Sequence, residues 1–204
     1  MANSHQFLSR RLHSLLGLFP IGIYLIFHLL ANHQATKGPE AFNQAVGLIE
    51  SLPFLIVIEF VIIYIPLLFH AILGIYIAFQ AKHNVGSFSY GRNQMFMWQR
   101  ITGIITLIFI AWHVWETRIQ FALGNKELNY QMMADILSNP AMVVFYTIGI
   151  LSAVFHFSNG IWSFLVHWGI TVGPRSQRLA TYLTMGIFVV VSFIGLRAMA
   201  AFIQ

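Results

Sequence analysis

The chain has 204 residues, of which 58% are hydrophobic and only 8% charged, where a soluble domain carries about 25% charged residues. With a mean hydropathy of +0.73, that excludes a soluble domain, a coiled coil, a collagen and a disordered chain, and leaves an integral membrane protein. The absence of cysteine removes disulfides, an iron–sulfur cluster held by this chain and covalently attached c-type haem.

Five stretches approach the roughly 20 apolar residues that a spanning helix needs. They cover about 12–31, 53–79, 97–118, 140–168 and 179–203, and predict one all-α transmembrane domain over 1–204. The first follows Arg10 and Arg11 as a signal peptide would. Its apolar run is too long and no small-residue cleavage site follows, so it reads as a retained helix. The second contains an uncharged run from Phe60 to Ala81, and Pro66 within it should kink the helix. The third has Arg100 near one end and Glu116 and Arg118 near the other, charges that can snorkel to the interface. The fourth lies in an uncharged stretch from Ile136 to Pro174. Near-interface tryptophans such as Trp98 and Trp168 need no explanation beyond an aromatic belt.

Five spans put the termini on opposite sides. With the N-terminus in the cytoplasm and the C-terminus outside, the inner segments hold Arg10, Arg11, Lys82, Arg92, Arg100, Arg175 and Arg178. The outer ones hold Lys37, Arg118, Lys126 and Arg197. Seven against four satisfies the positive-inside preference. All six acids fall outside or in the outer half, which leaves a cationic inner face suited to an acidic soluble partner or to anionic lipid headgroups. No nucleic-acid partner is expected.

Nine histidines are present. His5, His33 and His83 fall in tails or loops, and His13 and His167 near inner helix ends. His28, His70, His113 and His156 each lie inside a span, one in each of the first four, separated by 42, 43 and 43 residues. Ionisable groups at membrane depth are rare and functional by default. Each histidine is about 16 residues into its helix, or about 24 Å along it. Because successive helices run in opposite directions, His28 and His113 share an outer level and His70 and His156 an inner one. Two imidazoles facing across a cavity supply both axial ligands of a b-type haem, leave no open position and favour electron transfer. The expectation is two bis-histidine haems in a four-helix bundle, with a fifth helix alongside. Zinc fits less well, because it wants four ligands at one level.

The second and fourth spans repeat a pattern. Ser51-Leu52-Pro53 precedes His70-Ala71-Ile72-Leu73-Gly74-Ile75-Tyr76, and Ser138-Asn139-Pro140 precedes His156-Phe157-Ser158-Asn159-Gly160-Ile161-Trp162. The first and third spans match each other weakly, so the architecture reads as a duplicated two-helix unit plus one helix. Gly74 and Gly160 lie on the histidine face of their helices, where a residue without a side chain admits a flat macrocycle or a close helix. Ser152, four residues before His156, is placed either to accept that ring's second proton or simply to bond back to its own helix.

At these residues the chain resembles the five-helix, di-haem cytochrome b membrane anchors of succinate dehydrogenase, of the succinate:menaquinone oxidoreductase type. The resemblance runs over nearly the whole chain. It includes Arg10-Arg11-Leu12-His13-Ser14-Leu15-Leu16-Gly17, Trp112-His113-Val114-Trp115-Glu116-Thr117-Arg118, Phe155-His156-Phe157-Ser158-Asn159-Gly160 and Pro174-Arg175-Ser176-Gln177-Arg178. It implies a bacterial cytoplasmic membrane and two partners, a flavoprotein that oxidises succinate and an iron–sulfur subunit that passes the electrons on. The route then runs through the inner haem to the outer haem and to menaquinone. With no dinucleotide fingerprint or cluster motif, this chain is expected to transfer electrons and reduce quinone, while succinate is oxidised elsewhere.

Quinone reduction needs protons, so a proton-handling group beside the outer haem is useful. Glu59, at the level of His28 and His113, is the candidate quinone-binding residue; pairing with Arg118 is the competing arrangement. Glu116 is a weaker candidate. Arg10, Arg11, His13, Arg92 and Arg100 are candidate partners for inner haem propionates, and Arg118 and His33 for outer ones, since guanidinium forks suit carboxylates. The rival readings are the di-haem anchor of another quinone-linked complex and a haem-free transporter with histidine proton relays.

Overall fold

The computed structural model describes residues 4–80 and 84–203. Lys82 and His83, assigned to the inner loop, lie outside the described residues, as does the side chain of His5. The protein is all-α. Among the described residues, five helices are long and apolar enough to cross a membrane: Gln6–Lys37, Leu55–Gln80, Gly91–Ala122, Pro140–His167 and Pro174–Ala200. They alternate in direction. Arg10, Arg11, Arg92, Arg100, Arg175 and Arg178 therefore gather at one end, the basic end, and Glu40, Glu50, Glu59, Glu116, Glu127 and Asp135 at the other, the acidic end.

The spans are longer than the apolar runs, because helices continue through flanking charges whose long side chains reach the interface. The first begins before Arg10, and the third runs from Gly91 past Arg118. The fifth starts at Pro174, an opening that proline favours because its missing N–H is unneeded there.

The two S-x-P motifs open their helices differently. Asn139 accepts a bond from the Ala141 N–H (2.9 Å), and the fourth helix starts at Pro140. Leu52 stands in the same place before Pro53 and has no oxygen to offer. There the second helix starts only at Leu55, after Phe54 in the left-handed region at φ 58°.

Two short helices at the acidic end, Pro39–Glu50 and Tyr130–Leu137, were not anticipated as elements. Asn43 ties them together by accepting from the Tyr130 N–H at 2.8 Å. Their buried residues Phe42, Tyr130, Met133 and Leu137 join Ile150, Val154, Val191 and Phe202 in the main apolar core. The core thus sits toward the acidic end, between the fourth and fifth helices and under the short ones. The second helix has almost no buried side chains, and Phe60, Leu68, Ile72 and Phe79 face outward, as a lipid-facing helix would.

Candidate functional site

The bundle brings the four span histidines together as two pairs. The rings of His70 and His156 are 6.0 Å apart between centroids and cross at 87°. Those of His28 and His113 are 5.8 Å apart and cross at 75°. Two imidazoles bonded to opposite sides of one metal ion have centroids about 6 Å apart, taking metal–nitrogen bonds of about 2 Å. Among the described residues no three His, Asp or Glu side chains converge as a bare metal site would require. Each pair can offer two ligands and nothing more.

The pair at the basic end is held by backbone. His70 donates from Nδ1 to the carbonyl of His13 at 2.9 Å, and His156 donates from Nδ1 to the carbonyl of Gln99 at 2.9 Å. Both bonds span 57 residues. With Nδ1 carrying the proton, each ring keeps its lone pair on Nε2, the tautomer a metal ligand needs. Ser152 is not the acceptor for His156; the carbonyl of Gln99 takes that role because the third helix packs directly over the ring.

Glycines make that packing possible. A Cβ at Gly17 would collide with the His70 ring, 2.7 Å from Nδ1. One at Gly103 would come within 2.9 Å of Cε1 of His156. Gly17 follows His13 by four residues and Gly103 follows Gln99 by four, so each carbonyl and glycine form one face of a helical turn. The weakly matching first and third helices therefore repeat the same cradle. One more residue separates Gly17 from His28 than Gly103 from His113. The first helix absorbs it at its break around Phe19, before Pro20.

Gly74 and Gly160 face the side chains at these positions. A Cβ at Gly74 would lie 3.1 Å from Nε2 of His13, and one at Gly160 would lie 3.5 Å from Nε2 of Gln99. His13 stacks on His70 with centroids 4.0 Å apart and rings 8° from parallel. Gln99 instead donates to the His156 carbonyl (2.9 Å) and accepts from Asn159 (2.7 Å).

At the same end stand half-buried cationic groups. Arg11 lies over Trp168 and Phe7, Arg92 over Trp162 with a bond to the Thr181 hydroxyl at 2.8 Å, and Arg100 over Phe96. Arg100 also lines a cleft of about 310 Å³ between the second and third helices. Nε of Arg11, Nη1 of Arg92, Nη1 of Arg100 and Nε2 of His13 are buried without a partner. Buried donors of this kind call for acceptors, and among the described residues both ion pairs belong to Arg118 at the far end. Arg10 is exposed.

The pair at the acidic end is held by side chains. Nδ1 of His113 is hydrogen-bonded to the hydroxyl of Tyr146 at 3.1 Å. Asn32 donates to the His28 carbonyl at 2.8 Å and lies 3.4 Å from Nε2 of that ring. Nδ1 of His33 lies 3.3 Å from the carbonyl of Ile194. Arg118 holds Glu59 (2.9 Å) and Glu50 (3.2 Å). Glu59 opens a π-helical stretch, Glu59–Tyr64, just before Pro66; Glu116 and Arg118 lie in another, Trp115–Ile119. Such wide turns collect at functional sites. The first also accommodates Pro66, since Ile65 bonds back five residues to Phe60.

Tyr146, Gln99, Gly17 and Gly103 were not singled out from the sequence. The shared 57-residue spacing was the available signal for the last three. A tyrosine one helix away from its histidine leaves none.

Residues 84–196 match the model of the succinate dehydrogenase/fumarate reductase transmembrane subunit family. The chain is 58% identical over 203 residues to the succinate dehydrogenase cytochrome b558 subunit of Bacillus subtilis (strain 168), covering 100% of each chain. With more than half of its length matched by the family and all of it by that relative, the chain belongs to the succinate dehydrogenase/fumarate reductase transmembrane subunits, and within them to the cytochrome b membrane anchors.

Proposed function

We propose that this anchor carries two b-type haems and conducts electrons across the bilayer to menaquinone. His70 and His156 would hold one haem near the cytoplasmic side, and His28 and His113 the other near the outer side. The observation that carries the reading is the pair of ring separations, 6.0 and 5.8 Å, repeated at two levels with the Nδ1–H of three rings bonded away. When bound, each haem supplies reversible one-electron transfer.

The chain's own residues orient and bind. The carbonyls of His13 and Gln99 fix two imidazoles, and Gly17 and Gly103 let the helices close over them. The unpartnered donors of Arg11, His13, Arg92 and Arg100 suit haem propionates at the inner level. The cationic inner face would receive the iron–sulfur subunit, which takes electrons from the flavoprotein subunit that oxidises succinate. With that face in the cytoplasm, the N-terminus is inside and the C-terminus outside, in a bacterial cytoplasmic membrane.

Menaquinone takes two electrons and two protons to become menaquinol. Glu59 is the residue we assign to a quinone carbonyl and its proton, and Arg118 keeps the carboxylate ready between turnovers. Support comes from its partial exposure and from the wide turns in which Glu59 and its partner Arg118 lie.

The test is haem content per polypeptide with a reduced-minus-oxidised spectrum. Two haems per chain, with one lost in His70→Ala and the other in His28→Ala, is the expected result. A colourless protein would overturn the reading in favour of a histidine proton relay.

A further inference from the structure

We infer that Tyr146 and Glu116 are positioning residues that set the electron-donating strength of His113. The inference rests on the haem reading above and deepens it for the outer pair. Tyr146 is 3% exposed. Its hydroxyl accepts from Nδ1 of His113 (3.1 Å) and donates onward to Oε2 of Glu116 (3.4 Å). The indole N–H of Trp112 donates to that same oxygen at 3.1 Å. With the phenol's single proton on Glu116, its oxygen is left to accept from a protonated Nδ1, and the ring, the phenol and the carboxylate form one directed chain.

The chain is built rather than incidental. Tyr146 stands edge-on to His113 (5.6 Å, 79°) and to Phe109 (5.2 Å, 86°), while Phe109 lies nearly parallel to the His113 ring (5.7 Å, 21°). Phe109 reaches this place only because residue 149 is glycine; a Cβ there would clash with the phenyl ring. The imidazole is thereby locked with its Nδ1–H on the phenol.

The contrast with the basic end gives the relay its consequence. His70 and His156 donate to neutral backbone carbonyls. His113 donates to a phenol whose own proton leans on a carboxylate. A charged acceptor strengthens such a bond, successive bonds polarise one another, and the ligand becomes more basic. A more basic imidazole favours the oxidised, more positive iron. The relay therefore lowers the potential of the outer haem and leaves the inner one alone. Phe at position 146 breaks the chain; Gln at 116 removes the charge but keeps an oxygen for Trp112 and Tyr146.

The experiment is a redox titration of the assembled complex, wild type against Tyr146→Phe and Glu116→Gln, with haem content measured in parallel. A His28→Ala variant identifies the outer haem's signal by its loss. In Tyr146→Phe the reduced-to-oxidised ratio of the outer haem at a fixed ambient potential should rise about tenfold, a shift of ~59 mV for a one-electron couple. Glu116→Gln should shift the same haem in the same direction by less, and the inner haem should stay put in both. If Tyr146→Phe fails to bind the outer haem, Glu116→Gln decides alone. Two haems per chain with unmoved midpoints, or equal shifts of both haems, would overturn the relay only. A wild-type chain without haem would overturn the reading of the site, and the relay with it.

Discussion

The two histidine pairs share a spacing and a geometry but are held by different parts of the molecule. At the basic end, the acceptors for His70 and His156 are carbonyls, the clearance comes from Gly17 and Gly103, and both copies of the repeat do the same thing. At the acidic end, Tyr146 serves His113, Asn32 flanks His28, and no such repeat is visible. A backbone acceptor cannot be exchanged by mutation, so the inner pair is fixed by the helix–helix approach itself. A side-chain acceptor can be tuned, and it brings charge with it. The two-helix pattern thus repeats at the basic end and differs between its copies at the acidic end.

The sharpest way to break the comparison is to remove a ligand. His70→Ala and His28→Ala should each abolish one haem signal and electron transfer to quinone; spectra of purified membranes check this. A variant that lost both signals at once would show that the two levels are not independent. Next in size is the glycine cradle. Gly17→Ala places a methyl group against the His70 ring, with no flexible chain end to yield, and should eliminate most of the inner haem. Gly103→Ala meets His156 less closely, near 3 Å, and should cost only part of it. The outer haem should persist in both, as haem content and low-temperature spectra would reveal.

A functional test of direction comes third. If electrons leave the negative inner side and protons are taken up outside, turnover toward menaquinone dissipates the membrane potential and is driven by it. Collapsing the potential in intact cells should then slow succinate oxidation, measured as succinate-dependent oxygen uptake. An unchanged rate would place quinone reduction on the inner side.

Smaller effects separate the two ends further. Arg118→Gln leaves Glu50 and Glu59 facing each other without their cation. The pair is partly exposed, so the loss should be about 1–3 kcal/mol, between the surface and buried limits. Thermal denaturation of the detergent-solubilised protein would read it. The smallest effect is expected for Gln99→Ala. It removes the side-chain bonds to the His156 carbonyl and Asn159, worth about 1 kcal/mol each. The backbone carbonyl that holds the His156 ring remains, so the inner haem's midpoint should barely move in the same redox titration.

Much of this protein was legible in order of residues. Twenty-residue apolar runs can only be spanning helices in a chain with so few charges, because lipid leaves backbone groups no other partner. One histidine per span at a constant interval fixes which pairs share a level, since direction alternates and rise per residue is constant. Helix ends were less legible, because flanking arginines extend a helix as readily as they end it. The short helices Pro39–Glu50 and Tyr130–Leu137 were hidden because their apolar faces are too brief to stand out beside the spans.

What the tertiary structure alone decided is who touches whom across helices. Gly17 and Gly103 look like ordinary small residues until a ring from another helix lies on them. Arg118, on paper a partner for a haem propionate or for Glu59, is taken up by Glu59 and also by Glu50, which lies at the end of a short helix the sequence did not reveal. The hydroxyl on His113 comes from a tyrosine 33 positions away. Periodicity within a helix follows from local geometry and can be counted along the chain. Contacts between helices depend on rotation and crossing angle, which are set by packing of the whole bundle and are written in no single segment.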